Sequence, residues 1–200
     1  MIRTREDLKD CLNADGKNYW HLQQGYVKRI YSHLFTDPMT DQAVIWRYIY
    51  NLRHLEYHIN NKGIYHSIAK VYYSWRLRKL SYLTGFQIPP NTCGKGLTIW
   101  HWGTIIINGR VRIGENCTLR PMVLIGHGKL DDNAPIIGNN VTISSGVSII
   151  GSVVIGNDVV IAPNAAVVSD VPQSTLVGGV PAKVIKSLLN DFSCVQRGNI

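Results

Sequence analysis

Two histidines stand out in the second half of this 200-residue chain. His101 sits between two tryptophans in Gly96-Leu97-Thr98-Ile99-Trp100-His101-Trp102-Gly103. His127 sits in Ile125-Gly126-His127-Gly128-Lys129-Leu130-Asp131. An imidazole titrates near neutrality, so either one can remove a proton from a hydroxyl as that hydroxyl attacks an electrophile. Taken alone, a histidine such as His101 more often fills a polar turn, and only its context raises it. No Ser or Cys has the neighbours of an activated nucleophile, so no covalent enzyme intermediate is expected. A zinc centre needs three or four converging ligands. His101 and His127 are the two histidines of this half, 26 residues apart, and no metal site is expected from them. Cys11, Cys93, Cys117 and Cys194 form no CxxC pair and read as reduced thiols of a cytoplasmic protein.

The element that must carry these histidines announces itself by a six-residue beat. From Ile113 the chain can be cut into sixes whose first positions are Ile113, Leu119, Ile125, Ile137, Ile143, Ile149, Ile155, Ile161 and Val167. All are branched aliphatics, which chance would produce roughly once in 10⁵ at average aliphatic usage. The fifth position is small or β-branched in most sixes: Cys117, Val123, Val141, Val147, Val153, Val159, Ala165 and Val171. Neither a 3.6-residue helix nor plain alternation holds this phase. The reading is a short strand and a tight turn per six, three strands to a triangular coil, and coils stacked over an aliphatic column. Gly138, Asn139, Gly156 and Asn157 are expected to let the chain turn. The polar block Asp131–Ile136 keeps the register and reads as a loop leaving the coil, a common place for function.

The first half follows other rules. All ten tyrosines lie between Tyr19 and Tyr82, and residues 1–102 hold 14 Lys/Arg against 7 Asp/Glu. Apolar residues recur at helical steps in Trp20, Val27, Ile30 and Leu34, in Ile45, Ile49, Leu52, Leu55 and Ile59, and in Ile64, Ile68, Val71 and Trp75. Three or four packed helices with these stripes as core are expected. Asp37-Pro38 and Thr40 would start helices, and Asn61-Lys62-Gly63 and Thr84-Gly85 would stop them. The basic excess around Arg76, Arg78 and Lys79 reads as a solvated face or, more sharply, as a site for an anion. No nucleic-acid motif accompanies it. No apolar run reaches the roughly 18–20 residues of a membrane span, and no signal peptide is expected. The expected domains are a helical region over 1–87, a β-helix over 88–186 and a tail over 187–200. Residues 185–190 are expected to form a short helix or tail over the open end of the coil.

The hexad pattern [LIV]-G-x-N-x-x, the extruded loop and the ending Gly178-Gly179-Val180-Pro181-Ala182-Lys183-Val184-Ile185 resemble the hexapeptide-repeat acyltransferases. A helical region followed by Gly96-Leu97-Thr98-Ile99-Trp100-His101 resembles their serine acetyltransferase branch, which includes relatives associated with polysaccharide acetylation. The resemblance covers about residues 85–186 well and the helices in outline. It implies a left-handed parallel β-helix, usually a homotrimer and in some cases a hexamer, with acetyl-CoA lying along the coils between subunits. It places the catalytic base at His101. His127 is the alternative base, by a looser likeness to maltose- and galactoside-type acetyltransferases. It sets Ser145, Gly146 and Ala162 along the pantetheine arm and Lys183 by the nucleotide phosphates.

Three departures bear on the acceptor. Allowing a one-residue gap, Gln87 stands where the family has the Asp that orients its histidine. Trp100 replaces the Asp before that histidine, and Asn133 and Ala134 replace the Arg and His at the end of the loop. The charges that would hold an amino acid are thus missing, whereas Trp100 and Trp102 suit the C–H face of a sugar ring. Trp100, Trp102 and Asn133 are the expected acceptor-binding residues. The expected activity is direct acetyl transfer to a hydroxyl, with a surface-polysaccharide sugar preferred over L-serine. A non-catalytic trimeric scaffold and a zinc enzyme resembling the γ-type carbonic anhydrases are the other classes, the latter short of imidazoles.

Overall fold

A computed structural model describes residues 1–19, 41–128 and 133–188. Every first-position aliphatic of the six-residue beat is buried, and so are the fifth-position residues Cys117, Val123, Val141, Val147, Val153, Val159, Ala165 and Val171. Two inward residues per six build one continuous core, because a short strand flanked by turns can turn two side chains to the same axis. The strands are β1 (Phe86–Gln87), β2 (Thr98–Ile99), β3 (Ile105–Ile107), β4 (Arg112–Ile113), β5 (Thr118–Leu119), β6 (Val123–Gly126) and β7 (Ile136–Ile137). They continue with β8 (Thr142–Ile143), β9 (Ser148–Ile150), β10 (Val154–Ile155), β11 (Val160–Ile161), β12 (Ala166–Val167), β13 (Thr175–Gly178) and β14 (Lys183–Ser187).

These strands stack as three sheets, β1-β3-β6-β9-β12, β4-β7-β10 and β2-β5-β8-β11-β13-β14. All pairings are parallel except β13 with β14. Each coil visits the three sheets in turn, so the solid is a triangular prism, the hexapeptide β-helix. Ile136 pairs with Val154, 18 residues on, the length of one plain coil. Arg112 pairs with Ile136, 24 residues on, so one six-residue insertion leaves the coil between β6 and β7. The extruded loop falls there, although Lys129–Asp132 lie outside the described residues.

At the turns the fourth position of the hexad, not the second, takes the left-handed backbone: Asn116, Met122, Asn140, Asp158 and Asn164 all have φ between 56° and 65°. Gly138 and Gly156 serve a different purpose from turning. A Cβ on Gly138 would lie 2.8 Å from the Gly156 carbonyl carbon, and one on Gly114 would lie 2.6 Å from the Gly138 oxygen. Glycine at this position lets one coil sit on the next. Beside it the Asn157 carboxamide oxygen accepts from the Asn139 N–H at 2.8 Å, and that of Asn139 accepts from Glu115 N–H at 2.8 Å. These side chains satisfy backbone donors that the turn leaves without strand partners.

Among the described residues the helices are α1 (Arg5–Gly16), α2 (Asp41–Ile59) and α3 (Ile64–Thr84). Thr4 opens α1 with a reciprocal cap to Asp7. The stripe Trp20, Val27, Ile30, Leu34 and the starts at Asp37 and Thr40 lie outside the described residues. Ile45, Ile49, Leu52 and Leu55 of α2 are in the core, as their spacing implies, while Ile59 is exposed. The third stripe runs against expectation: Ile64, Ile68, Val71 and Trp75 are 82, 67, 68 and 55% exposed. α2 packs on α1, on α3 and on the first coil, whereas α3 packs on α2 by its opposite side, with Tyr73, Leu77 and Leu80. Helical periodicity defines a stripe but not which side of it meets the protein.

Buried polar groups fasten the helices to the first coil. Arg53, 1% exposed, donates to Asp15 at 2.8 Å, to Glu56 at 3.0 Å and to the carbonyls of Cys93 and Gly94 at 2.8 and 2.6 Å. Asp15 in turn accepts from Leu97 N–H and Glu56 from Asn91 N–H. Burial alone would lower the Arg53 pKa, but the two carboxylates hold it well above its ordinary value. The Tyr19 hydroxyl bonds both backbone groups of Ile99, and the Tyr48 hydroxyl those of Ile88. At the other end, residues 185–187 continue β14 instead of forming a terminal helix. Residues 189–200 lie outside the described residues.

Candidate active site

Ile99 pairs with Leu119 and Ile105 with Val123, so the residues between define two stacked corners. The lower corner holds five residues, Trp100 to Thr104; the upper holds three, Arg120 to Met122. The two additional residues push out the loop that carries His101. This corner is held at both ends. Trp100 N–H donates to the Leu119 carbonyl at 3.1 Å, and Gly103 N–H donates to the Thr84 carbonyl, in the last turn of α3, at 3.0 Å. Gly85 makes this junction possible: it ends α3 in the left-handed region at φ 80°, and a Cβ there would press on Gly103 at 3.2 Å. His101 itself has φ 65°. Such a conformation costs on the order of 1 kcal/mol for a side chain with a Cβ, and strain of this kind gathers at functional sites. His101 is exposed, flanked by Trp100 and Trp102 at 39% each.

The edge of the prism above this corner collects most of the residues singled out in the sequence. Successive coils contribute Arg120–Met122, then Ser144–Gly146, then Ala162–Asn164, and then Gly178 at the end of β13. Gly146 N–H donates to Pro121 O at 3.1 Å and Asn164 N–H to Ser145 O at 2.9 Å, so the stack is continuous. Lys183 pairs with Gly178 across the β13–β14 ladder and is exposed. From the His101 corner to Lys183 is five strand spacings, about 24 Å at roughly 4.8 Å per strand. Gly146 has φ 75° and a Cβ on it would strike the Asn164 carboxamide, so the coil requires glycine there whatever binds outside. Arg120 is the addition that sequence reading missed. It is exposed on this edge one coil above His101, in the hexad's second position, where Gly114, Gly138, Gly156, Ser144 and Ala162 are small. Its charge in that position, where Ile150 and Val168 are the other large residues, was the available signal.

His127 is elsewhere. It follows β6 at the next edge, where Asn108 Nδ2 approaches its Nδ1 at 3.1 Å. Asn108 is seven residues beyond His101, a contour of roughly 23 Å at about 3.3 Å per residue, with β3 between the two corners. Within one chain they do not share a site. Asn133 is exposed beside the extruded loop on His127's edge, and Ala134 packs partly against the core. Gln87 lies in β1 opposite Ile106, exposed on the outer face of the sheet that His101's corner leads into. A cavity of about 400 Å³ opens at the third edge instead, lined by Asp10, Arg53, Glu56, Lys95, Arg112 and Glu115. None of the edge residues lines it.

The described thiols are poor nucleophiles. Burial, against the pull of Arg53, pushes Cys11 and Cys93 up to about 12, and burial pushes Cys117 up to about 11. Cys194 lies outside the described residues. One edge thus carries an exposed imidazole at its foot and an exposed lysine at its head, a base and a cation on the same side of the prism.

Residues 134–168 match the family model described as bacterial transferase hexapeptide (six repeats). A serine acetyltransferase of Helicobacter pylori is 33% identical over 127 residues, which cover 60% of this chain and 74% of the relative. One from Staphylococcus xylosus is 34% identical over 108 residues, 52% of this chain and 50% of that protein, so the chain spans about half of it. The crystal structure of Neisseria gonorrhoeae serine acetyltransferase superposes with a TM-score of 0.64 at 26% identity, covering 98% of this chain and 73% of that one. The Brucella abortus serine acetyltransferase solved with coenzyme A gives 0.66 at 21% identity over 92% of this chain and 69% of that one, a likeness of fold. The prism, its extruded loop and the helices packed on its first coil are therefore those of the hexapeptide-repeat acyltransferases, a family to which this chain belongs, in its serine acetyltransferase-like branch.

Proposed function

We propose that the chain transfers an acetyl group from acetyl-CoA to an acceptor hydroxyl, with His101 as general base. The observation that supports it most is the stacking of His101, Arg120, Ser145, Gly146, Ala162 and Lys183 on one edge, five strand spacings long. Acetyl-CoA would lie along it with its phosphates toward Lys183 and its thioester toward His101. The imidazole would take the hydroxyl proton as the oxygen attacks the thioester carbon. The C–S bond then breaks, and the coenzyme leaves as the thiol after taking up a proton. Gln87 would accept from the imidazole N–H without the charge that a carboxylate would lend the imidazolium. His127 and Asn133 sit on another edge, so they can join the site only from a second copy, and the working assembly is a homotrimer with the ligand between copies.

L-serine is the acceptor that the named relatives support, and it displaces the surface-polysaccharide sugar preferred from the tryptophans. The sugar stands as a second reading on one specific observation. Trp100 and Trp102 expose indole beside His101, and Ala134, partly packed on the core, brings no charge to the loop's end. The deciding experiment incubates the protein with acetyl-CoA and either L-serine or a panel of sugars, and measures free coenzyme thiol. Saturable release with L-serine is expected. Release only with sugars would reassign the acceptor, and release with neither, together with no calorimetric binding of acetyl-CoA, would leave a scaffold.

A further inference from the structure

α3 presents to solvent the face that a soluble helix normally buries. Ile64, Ile68, Val71, Trp75 and Tyr82 fall at steps of four, three, four and seven residues, one stripe down the whole helix, and all are exposed. Tyr65, Tyr72 and Leu83 widen it and are exposed as well. At about 1.5 Å per residue the helix is roughly 31 Å long, so the patch is large.

The charges along it have one sign. From Lys62 to Gly85 the sequence holds Lys62, Lys70, Arg76, Arg78 and Lys79 and no Asp or Glu. On a helical projection Arg78 and Lys79 fall on the two flanks of the stripe. Two cations lie against rings beside them. Lys79 Nζ is 3.9 Å from the Trp75 ring centroid. Arg76 lies 5.6 Å from that of Tyr72 and donates to its hydroxyl at 2.7 Å.

We propose that α3 is a membrane-surface helix, lying flat with its outward stripe in the interface of an anionic lipid bilayer. An apolar stripe with Trp and Tyr anchors, flanked by Lys and Arg, is the composition that partitions into the headgroup boundary and is drawn there by negative lipids. Rings with a polar handle settle at that depth, and the long basic side chains reach back to the phosphates. The helix docks and does not span: among the described residues no helix is long and apolar enough to cross a membrane. A second copy fits the same face poorly. Pairing two such helices would bring eight cations together, Lys70, Arg76, Arg78 and Lys79 from each, with no α3 carboxylate to offset them. The inference does not depend on which acceptor is acetylated.

The test uses the full-length protein sedimented with vesicles of phosphatidylcholine alone or mixed with phosphatidylglycerol. Pelleting with the anionic vesicles only, reversed by salt, is expected. Ile68→Glu/Val71→Glu places two carboxylates on the stripe and should weaken partitioning about tenfold or more. Arg78→Glu/Lys79→Glu should weaken it too and lower the salt needed for release. All four positions are exposed, and circular dichroism checks that the variants fold. No pelleting with anionic vesicles, or equal pelleting of wild type and Ile68→Glu/Val71→Glu, would overturn the proposal. So would a lipid-free change in sedimentation coefficient for that variant, which would give the face to another copy of the chain.

Discussion

At the scale of single residues, what distinguishes His101 from His127 is the backbone beneath it. His101 occupies a left-handed corner two residues longer than its neighbour and fixed at both ends, whereas His127 follows a regular strand. A base that must meet a substrate gains from being held away from the coil surface by a loop that cannot relax. His101→Ala is accordingly expected to lower kcat by about 10²–10⁴, the usual worth of a positioned base. His127→Ala should keep kcat within a few-fold and act mainly on KM. Steady-state coenzyme release measures both, and the reverse ranking would move the base to the other edge.

The sequence made the type of these residues readable and left their grouping hidden. Ser145, Gly146 and Ala162 could be placed on the cofactor side only through resemblance, because their neighbourhood is set by coil-to-coil register. Arg120 escaped notice for the same reason: nothing in a linear reading says which edge a second-position residue joins.

At the scale of elements, the prism was the most legible part. Its interior is a one-dimensional pattern, and each inward aliphatic from Ile113 to Val167 could be counted before any contact was known. The helices were less legible. α2 and α3 carry equally clear stripes, yet one faces the core and the other faces outward, since burial depends on what lies alongside.

The interface between the two helices also carries an acid-sensitive element. His54 stacks on Tyr73 at 4.9 Å between ring centroids and meets Tyr50 tilted at 4.3 Å, and His58 Nδ1 lies 3.0 Å from His66 Nδ1. The latter contact needs at least one neutral ring. Burial first, and then the charge of His58, lowers the His54 pKa from 6.5 to about 4. Burial followed by the charge of His66 lowers that of His58 as well. The unfolded chain therefore binds protons between pH 6.5 and about 4 that the folded chain refuses. Stability from this source is complete above that window, falls as pH drops through it, and levels off below it. Urea midpoints taken across the window should show a steeper loss for wild type than for His54→Gln. Parallel curves would sink this account.

At the scale of the whole molecule, two bodies with different internal rules are welded at the first coil. The prism is held by aliphatic packing and by coil-to-coil ladders that run its length. The helical part is attached by apolar packing of α2 on the first coil, with Tyr48 edge-on to Phe86, and by buried polar contacts: Arg53 with Asp15 and Glu56, and the hydroxyls of Tyr19 and Tyr48. Such contacts depend strongly on one another, because removing one partner leaves a charge or donor stranded in the interior. Among the described residues, each coil of the prism is supported by the next.

That contrast bears on the bond from Gly103 N–H to the Thr84 carbonyl. Through it the loop that presents His101 borrows its rigidity from the less robust body. On heating, the helices should loosen first, and the loop should lose its anchor while the strands are still intact. Thermal inactivation is therefore expected at a lower temperature than the collapse of the β-sheet signal in circular dichroism. If the two coincide, the helices and the prism unfold as one unit.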